Sequence, residues 1–124
     1  MRIVDANVIL RYVLDDHLDL SQRARKIIDD NIVEVPVEVL SEVVYVLSSV
    51  YNADRNDIHM ALRNFFEKTS CILPHHEAIL KGLEFFAENR LDFVDCLLVG
   101  YQCVEAAEIY TFDKKLQSLL SRLQ

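Results

Sequence analysis

Glycine and proline are scarce in this chain, and this restricts the possible folds more than any other feature of the sequence. Only two of each occur among the 124 residues. A fold made entirely of strands needs many tight turns, and tight turns depend on glycine, proline and asparagine. We therefore expect long helices joined by short connections rather than a series of hairpins.

Short apolar segments alternate along the chain with longer amphipathic ones. The short segments have strand character and cover residues 2–5, 32–35, 70–73 and 108–111. Helical periodicity covers residues 7–15, 20–30, 37–50, 76–89 and 114–123. Another helix opens at Asp54 or Asn56 and runs to about Lys68, and one more begins at Asp92–Asp95. This alternation is typical of α/β proteins. We predict one domain, residues 1–124, folded as a three-layer α/β/α sandwich with a central parallel sheet of four or five strands.

The overall composition narrows the possible functions. Hydrophobic residues make up 52% of the chain, which excludes a disordered segment. The net charge of −7 argues against a protein that coats nucleic acid through a broad basic surface, although it permits a metal-containing site that engages nucleic acid. Three cysteines without CxxC spacing indicate reduced thiols. No signal peptide or membrane-spanning run is visible, so we expect a cytoplasmic protein.

Four acidic residues lie in or beside the most apolar stretches. They are Asp5, Glu42, Asp95 and Asp113. A carboxylate next to a buried run loses hydration energy unless a positive group compensates for it. Because few basic residues lie near these acids in the sequence, a bound divalent cation is the simplest compensation.

Helix capping is the alternative explanation for three of these acids. Asp5 and Asp113 each follow a predicted strand and precede a predicted helix, and Asp92 and Asp95 stand at the start of another helix. Aspartate is a favoured N-cap residue. The carboxyl ends of parallel strands are also where α/β folds bind their ligands. Capping and metal binding therefore both remain open for each residue.

Glu42 belongs to a narrow polar stripe on an otherwise Val- and Leu-rich helix. The stripe contains two acids, Glu38 and Glu42, and no base. A helix face that is open to water usually mixes both charges, although plain solvent exposure is the commoner explanation of such a stripe. The wall of a cleft fits this stripe better.

Four short motifs resemble those of the PIN domain, in particular the small VapC-like toxin ribonucleases of toxin–antitoxin modules. The motifs are VDANVILRYVL, VEVLSEVVYVL, LDFVDCLLVG and YTFDKKL. Together they cover essentially the whole chain, in the order and spacing of that family. The resemblance places the family's acids on Asp5, Glu42, Asp95 and Asp113, with an additional acid at Asp92.

The resemblance implies an endoribonuclease that depends on Mg²⁺ or Mn²⁺. Asp5, Glu42, Asp95 and Asp113 would be catalytic metal ligands, and Asp92 a fifth ligand. Asn7 and Thr111 would orient ligands or water, and RNA or a partner would meet Arg11, Lys114 and Lys115. The family also implies a homodimer and an antitoxin protein that inserts a segment across the active-site groove.

Two other functions fit this sequence less well. A phosphotransfer domain of the haloacid-dehalogenase type would need a second aspartate at position 7, where this chain has Asn7. The other rival is a catalytically silent PIN-like module that acts only through a partner protein. The complete set of four acids argues against the silent module.

Overall fold

The computed structural model describes all residues from 1 to 124 and contains seven helices. They are α1 (Ala6–Leu14), α2 (Leu18–Asp30), α3 (Val37–Ser49), α4 (Arg55–Lys68), α5 (His76–Glu88), α6 (Phe93–Glu105) and α7 (Lys114–Arg122). The chain forms two compact units, Met1–Pro74 and His75–Gln124. None of the helices is both long and apolar enough to cross a lipid bilayer. The three cysteines are free thiols.

The predicted parallel sheet of four or five strands, and with it the three-layer sandwich, is wrong. The structure is helical and contains no strand. Only single-residue parallel bridges occur, from Ile3 to Glu34 and from Glu34 to Ile72. They are accompanied by three backbone hydrogen bonds of 2.7–2.8 Å. The segment 108–111 forms no bridge at all, because an apolar pattern of four residues gives strand character without specifying a pairing partner.

Helix α1 lies at the centre of the first unit. It packs against α2, α3 and α4, and α3 also packs against α4. Ile9, Leu40, Leu62 and Phe65 are almost completely buried, and the ring of Tyr12 meets that of Phe65 edge to face, with centroids 5.2 Å apart. This packing fixes the first turn of α1 relative to α3.

The second unit is built on close contact between α5 and α6, and α7 packs against α6. Small residues allow the two longer helices to approach each other: a Cβ added to Gly82 would lie 3.1 Å from the carbonyl oxygen of Cys96. A Cβ added to Gly100 would overlap the backbone carbonyl of Ala78. The approach positions the N-terminal turn of α6, which carries two of the predicted site residues.

Candidate active site: two groups of carboxylates

Asp5 is the N-cap of α1 and also lines a groove. Its Oδ1 accepts a hydrogen bond of 3.2 Å from the backbone N–H of Val8, so the capping explanation is correct for this residue. The side chain is exposed beside an open groove of about 430 Å³ between α1 and α3. The cap holds the carboxylate in one position without using all of its oxygen lone pairs.

The wall of the groove opposite Asp5 is formed by α3. Glu42 lines it, together with Glu38, which lies one turn earlier on the same helix face. Sequence reasoning included Glu38 in the polar stripe but did not propose it as a site residue. Its spacing of four residues from Glu42 was the signal that it faces the same groove.

Asn7 and Arg11 both lie on α1, and of the two only Asn7 lines this groove. Both residues line an apolar pocket of about 190 Å³ between α1 and α2. Arg11 donates to Asp16 Oδ1 at 3.0 Å. An approaching phosphate would therefore have to compete with an existing ion pair for Arg11.

The other three predicted acids belong to the second unit. Asp92 occupies the N-cap position of α6, although its side chain makes no capping hydrogen bond. Asp95 lies in the first turn of the same helix and is half-buried. Asp113 caps α7, and its Oδ1 accepts a 2.8 Å hydrogen bond from the backbone N–H of Leu116. Capping is thus real for Asp113, while Asp95 caps nothing.

Burial raises the pKa of Asp95 above its ordinary value, and the negative charges of Asp92 and Asp113 raise it further. The positive end of the α6 dipole would lower this pKa, so desolvation and like-charge repulsion outweigh the dipole here. Asp95 therefore experiences the charge of both neighbouring acids. A cation among them would relieve both unfavourable effects.

A threonine and two lysines lie close to Asp113 in the sequence. The Thr111 hydroxyl accepts a hydrogen bond of 3.1 Å from the backbone N–H of Asp113. Lys115 Nζ donates to the backbone oxygen of Arg90 at 2.8 Å, and Lys114 is exposed. Thr111 therefore supports the loop that presents Asp113, and neither lysine forms an ion pair with an acid.

The two groups of carboxylates fit a hard cation in their chemistry. All of the proposed donors are carboxylate oxygens, which Mg²⁺ and Mn²⁺ prefer, and Mg²⁺ commonly uses one or two carboxylates and keeps several waters. The structure forms no cluster of three or more histidine, cysteine or acidic side chains arranged to hold a metal ion. The assignment of individual ligands therefore stays a prediction.

A sequence profile of the PIN domain matches residues 2–119. The chain belongs to the PIN-domain family. Searches against curated proteins and against solved structures find no significant match.

Membership of the PIN-domain family relates both sets of acidic residues to one kind of function. PIN domains are generally nucleases, and they usually bind Mg²⁺ or Mn²⁺. A nuclease-type function with RNA as substrate follows at this coarse level. The matched region includes Asp5, Glu42, Asp92, Asp95 and Asp113.

The raised pKa of Asp95 predicts a pH-dependent effect on stability. Because the folded state raises this pKa, the folded state binds more protons than the unfolded state, and stability falls as pH rises from the unfolded pKa through the folded one. Without divalent cations, Asp95→Asn is expected to raise the melting temperature at neutral pH. The gain should shrink to nothing under acidic conditions, where Asp95 is protonated in both states.

Thermal unfolding followed by circular dichroism, over a pH series in chelator, measures this effect. Asp19→Asn is a suitable control, since Asp19 is an exposed acid in the first turn of α2. A gain for Asp95→Asn that does not change with pH would show that its charge is not the cause.

Proposed function

We propose that this PIN-domain protein is a metal-dependent endoribonuclease of the VapC-like toxin type. The observation that carries the proposal is the match of the PIN-domain profile to residues 2–119, a region that contains all five proposed acidic ligands. Burial and the charges of Asp92 and Asp113 raise the pKa of Asp95, and a bound cation would offset this unfavourable charge. The groove that holds Asp5, Glu38 and Glu42 is a second acidic surface with the same donor chemistry.

The protein's own residues would bind the metal ion and orient its ligands and water. Asp5 and Glu42 in the first unit, and Asp95 and Asp113 in the second, would supply carboxylate ligands for Mg²⁺ or Mn²⁺, with Asp92 as a further ligand. The ion would supply positive charge to the phosphodiester and make a water molecule more acidic. Asp5 and Asp113 are suited to this task because backbone N–H groups already fix their side chains. Asn7 and Thr111 would position ligands or water.

Partners are part of the same proposal. A homodimer and an antitoxin are expected of a VapC-like protein, and the carboxylates of the α1–α3 groove would accept a basic side chain from such an antitoxin. The basic product of a neighbouring gene, if it is the antitoxin, should bind the purified protein and inhibit cleavage. Failure to bind would remove the antitoxin from the proposal without affecting the nuclease.

Cleavage of single-stranded RNA by the purified protein tests the enzyme itself. We expect cleavage with Mn²⁺ or Mg²⁺, loss of cleavage in chelator, and recovery when the cation is restored. Asp95→Asn, purified in the same way, should lose at least about 100-fold of the activity, because altering even an outer-shell partner of a metal ligand typically costs 10–100-fold. Equal cleavage by the wild type and the variant would mean that a contaminant is responsible, and no cleavage with any divalent cation would contradict the proposal.

A further inference from the structure

Two aromatic side chains of the second unit are exposed to an unusual degree. Phe112 is fully exposed and Tyr110 is 88% exposed. Both lie in the segment between α6 and α7, which forms no helix or strand. Large aromatic rings are normally covered, and when exposed they often mark binding surfaces.

Both rings line one groove of about 470 Å³. Gln102 and Gln117 line it as well, and each uses its amide nitrogen internally: Gln102 donates to the backbone oxygen of Leu120 at 3.0 Å, and Gln117 donates to that of Thr111. Their amide oxygens remain available to accept hydrogen bonds. The groove therefore combines flat apolar surfaces with acceptors that can meet the amino groups of bases.

Positive charge lies next to this groove in the chain. Lys114 and Lys115 follow Phe112 by two and three residues, and neither forms an ion pair with an acid. The nearby Glu108 accepts a hydrogen bond of 2.9 Å from the Tyr110 hydroxyl, which orients that ring. In a protein of net charge −7, two lysines that follow these exposed rings in the sequence and form no ion pair favour a polyanion with flat bases over a protein partner.

We propose that Phe112 and Tyr110 form a stacking platform for the bases of single-stranded RNA, with Lys114 and Lys115 meeting the phosphates. The proposal rests on the ribonuclease function for the identity of its substrate. Phe112 directly precedes Asp113. A base stacked on Phe112 would bring the adjoining phosphate toward the carboxylates of the second unit, so these rings are positioning residues that act on substrate binding.

Binding to a non-cleavable probe tests the platform separately from catalysis. The probe is a fluorescein-labelled, 2′-O-methylated single-stranded oligonucleotide of about 12 nucleotides, within the range of site sizes known for single-strand binders. Fluorescence anisotropy in chelator should show that Phe112→Ala weakens binding about 10-fold, while Phe112→Trp keeps it within about twofold, because base–aromatic stacking depends on the ring. Tyr51→Ala, which removes an exposed ring from the first unit, should leave the affinity unchanged.

A probe with one abasic position adds a readout that is specific for stacking. The abasic position is moved along the probe. At the position whose base stacks on Phe112, removing the base should weaken binding to the wild type. It should not weaken binding to Phe112→Ala, because the ring and the base act as a pair. Lys114→Gln should also reduce the dependence of affinity on salt concentration. Since Phe112 is fully exposed, its replacement should not disturb folding, which circular dichroism can verify.

Unchanged RNA affinity for Phe112→Ala would overturn the proposal. If that variant also shows altered self-association in sedimentation, the rings contact protein instead of RNA. If the wild type binds the probe through Phe112 and yet never cleaves RNA, the proposed nuclease function fails while the platform stands. If cleavage is normal and the variant binds equally well, only the platform fails.

Discussion

Gly100→Ala is expected to destabilise the protein by about 2–3 kcal/mol, since overpacking a tight contact typically costs 1–3 kcal/mol. The added methyl group would overlap the carbonyl oxygen of Ala78 and lie 2.9 Å from the backbone nitrogen of Gly82, so α5 and α6 would have to separate. Alanine's better helix propensity returns only about 1 kcal/mol. Urea unfolding followed by far-UV circular dichroism measures the difference.

Gly82→Ala provides a graded comparison on the facing helix. Its added Cβ would lie 3.1 Å from the Cys96 carbonyl oxygen and from two atoms of Leu97, which requires a displacement of only a few tenths of an ångström. The loss should be smaller, about 1 kcal/mol or less after the gain in propensity. If Gly100→Ala is as stable as the wild type, the close approach of α5 and α6 is not a feature of the folded protein.

Asp5→Asn is expected to reduce RNA cleavage by at least about 100-fold while leaving stability almost unchanged. We propose Asp5 as a direct metal ligand, and losing one should exceed the 10–100-fold typical of outer-shell partners. Asparagine caps helices about as well as aspartate, so the hydrogen bond from Val8 N–H can be retained. Only the negative charge is lost, and with it the attraction for a cation. Initial rates at several Mn²⁺ concentrations, together with melting temperatures, separate these effects.

Asp54→Asn is the matched control for this substitution. Asp54 caps α4 through a hydrogen bond of 3.1 Å from the backbone N–H of Asn56, so the chemical change and the structural setting are the same. Cleavage by Asp54→Asn should remain within about twofold of the wild type, as expected of a surface change outside any site. If both variants lose activity equally, a general effect on charge or folding is responsible, and Asp5 has no special role.

The helices could be predicted closely from the sequence. The predicted helix 37–50 is observed as Val37–Ser49, and the predicted helix 76–89 as His76–Glu88. Helix periodicity and capping are local, so a short window of sequence contains both signals. The start of α2 was predicted two residues too late, at residue 20 instead of Leu18. The cap is His17, whose Nδ1 accepts a hydrogen bond from the backbone N–H of Leu20, and histidine is not a usual capping residue.

The sheet could not be predicted in this way. Residues around Ile3, Glu34 and Ile72 run parallel, as expected, but they meet only through single bridges, and residues 108–111 pair with nothing. A strand forms only when its backbone pairs with a second segment, which is usually distant in the sequence. A short apolar segment therefore has the same sequence pattern whether or not it is paired. The candidate active site is limited in the same way: the sequence shows the order of the acids along the chain, but not the distances between them.

Asp5 and Asp113 cap α1 and α7, and this affects how a loss of catalytic activity could be inferred from the sequences of related chains. Asp5 and Asp113 each accept a backbone hydrogen bond, so folding itself favours an acid or amide at these positions, whether or not the protein cleaves RNA. Glu42 lies in the middle of α3 and Asp95 makes no capping bond, so neither is needed to begin a helix. A PIN domain that had become a silent binding module could keep its first and last aspartates for stability alone. Replacement of the residues equivalent to Glu42 and Asp95 would be the more informative sign that catalysis has been lost.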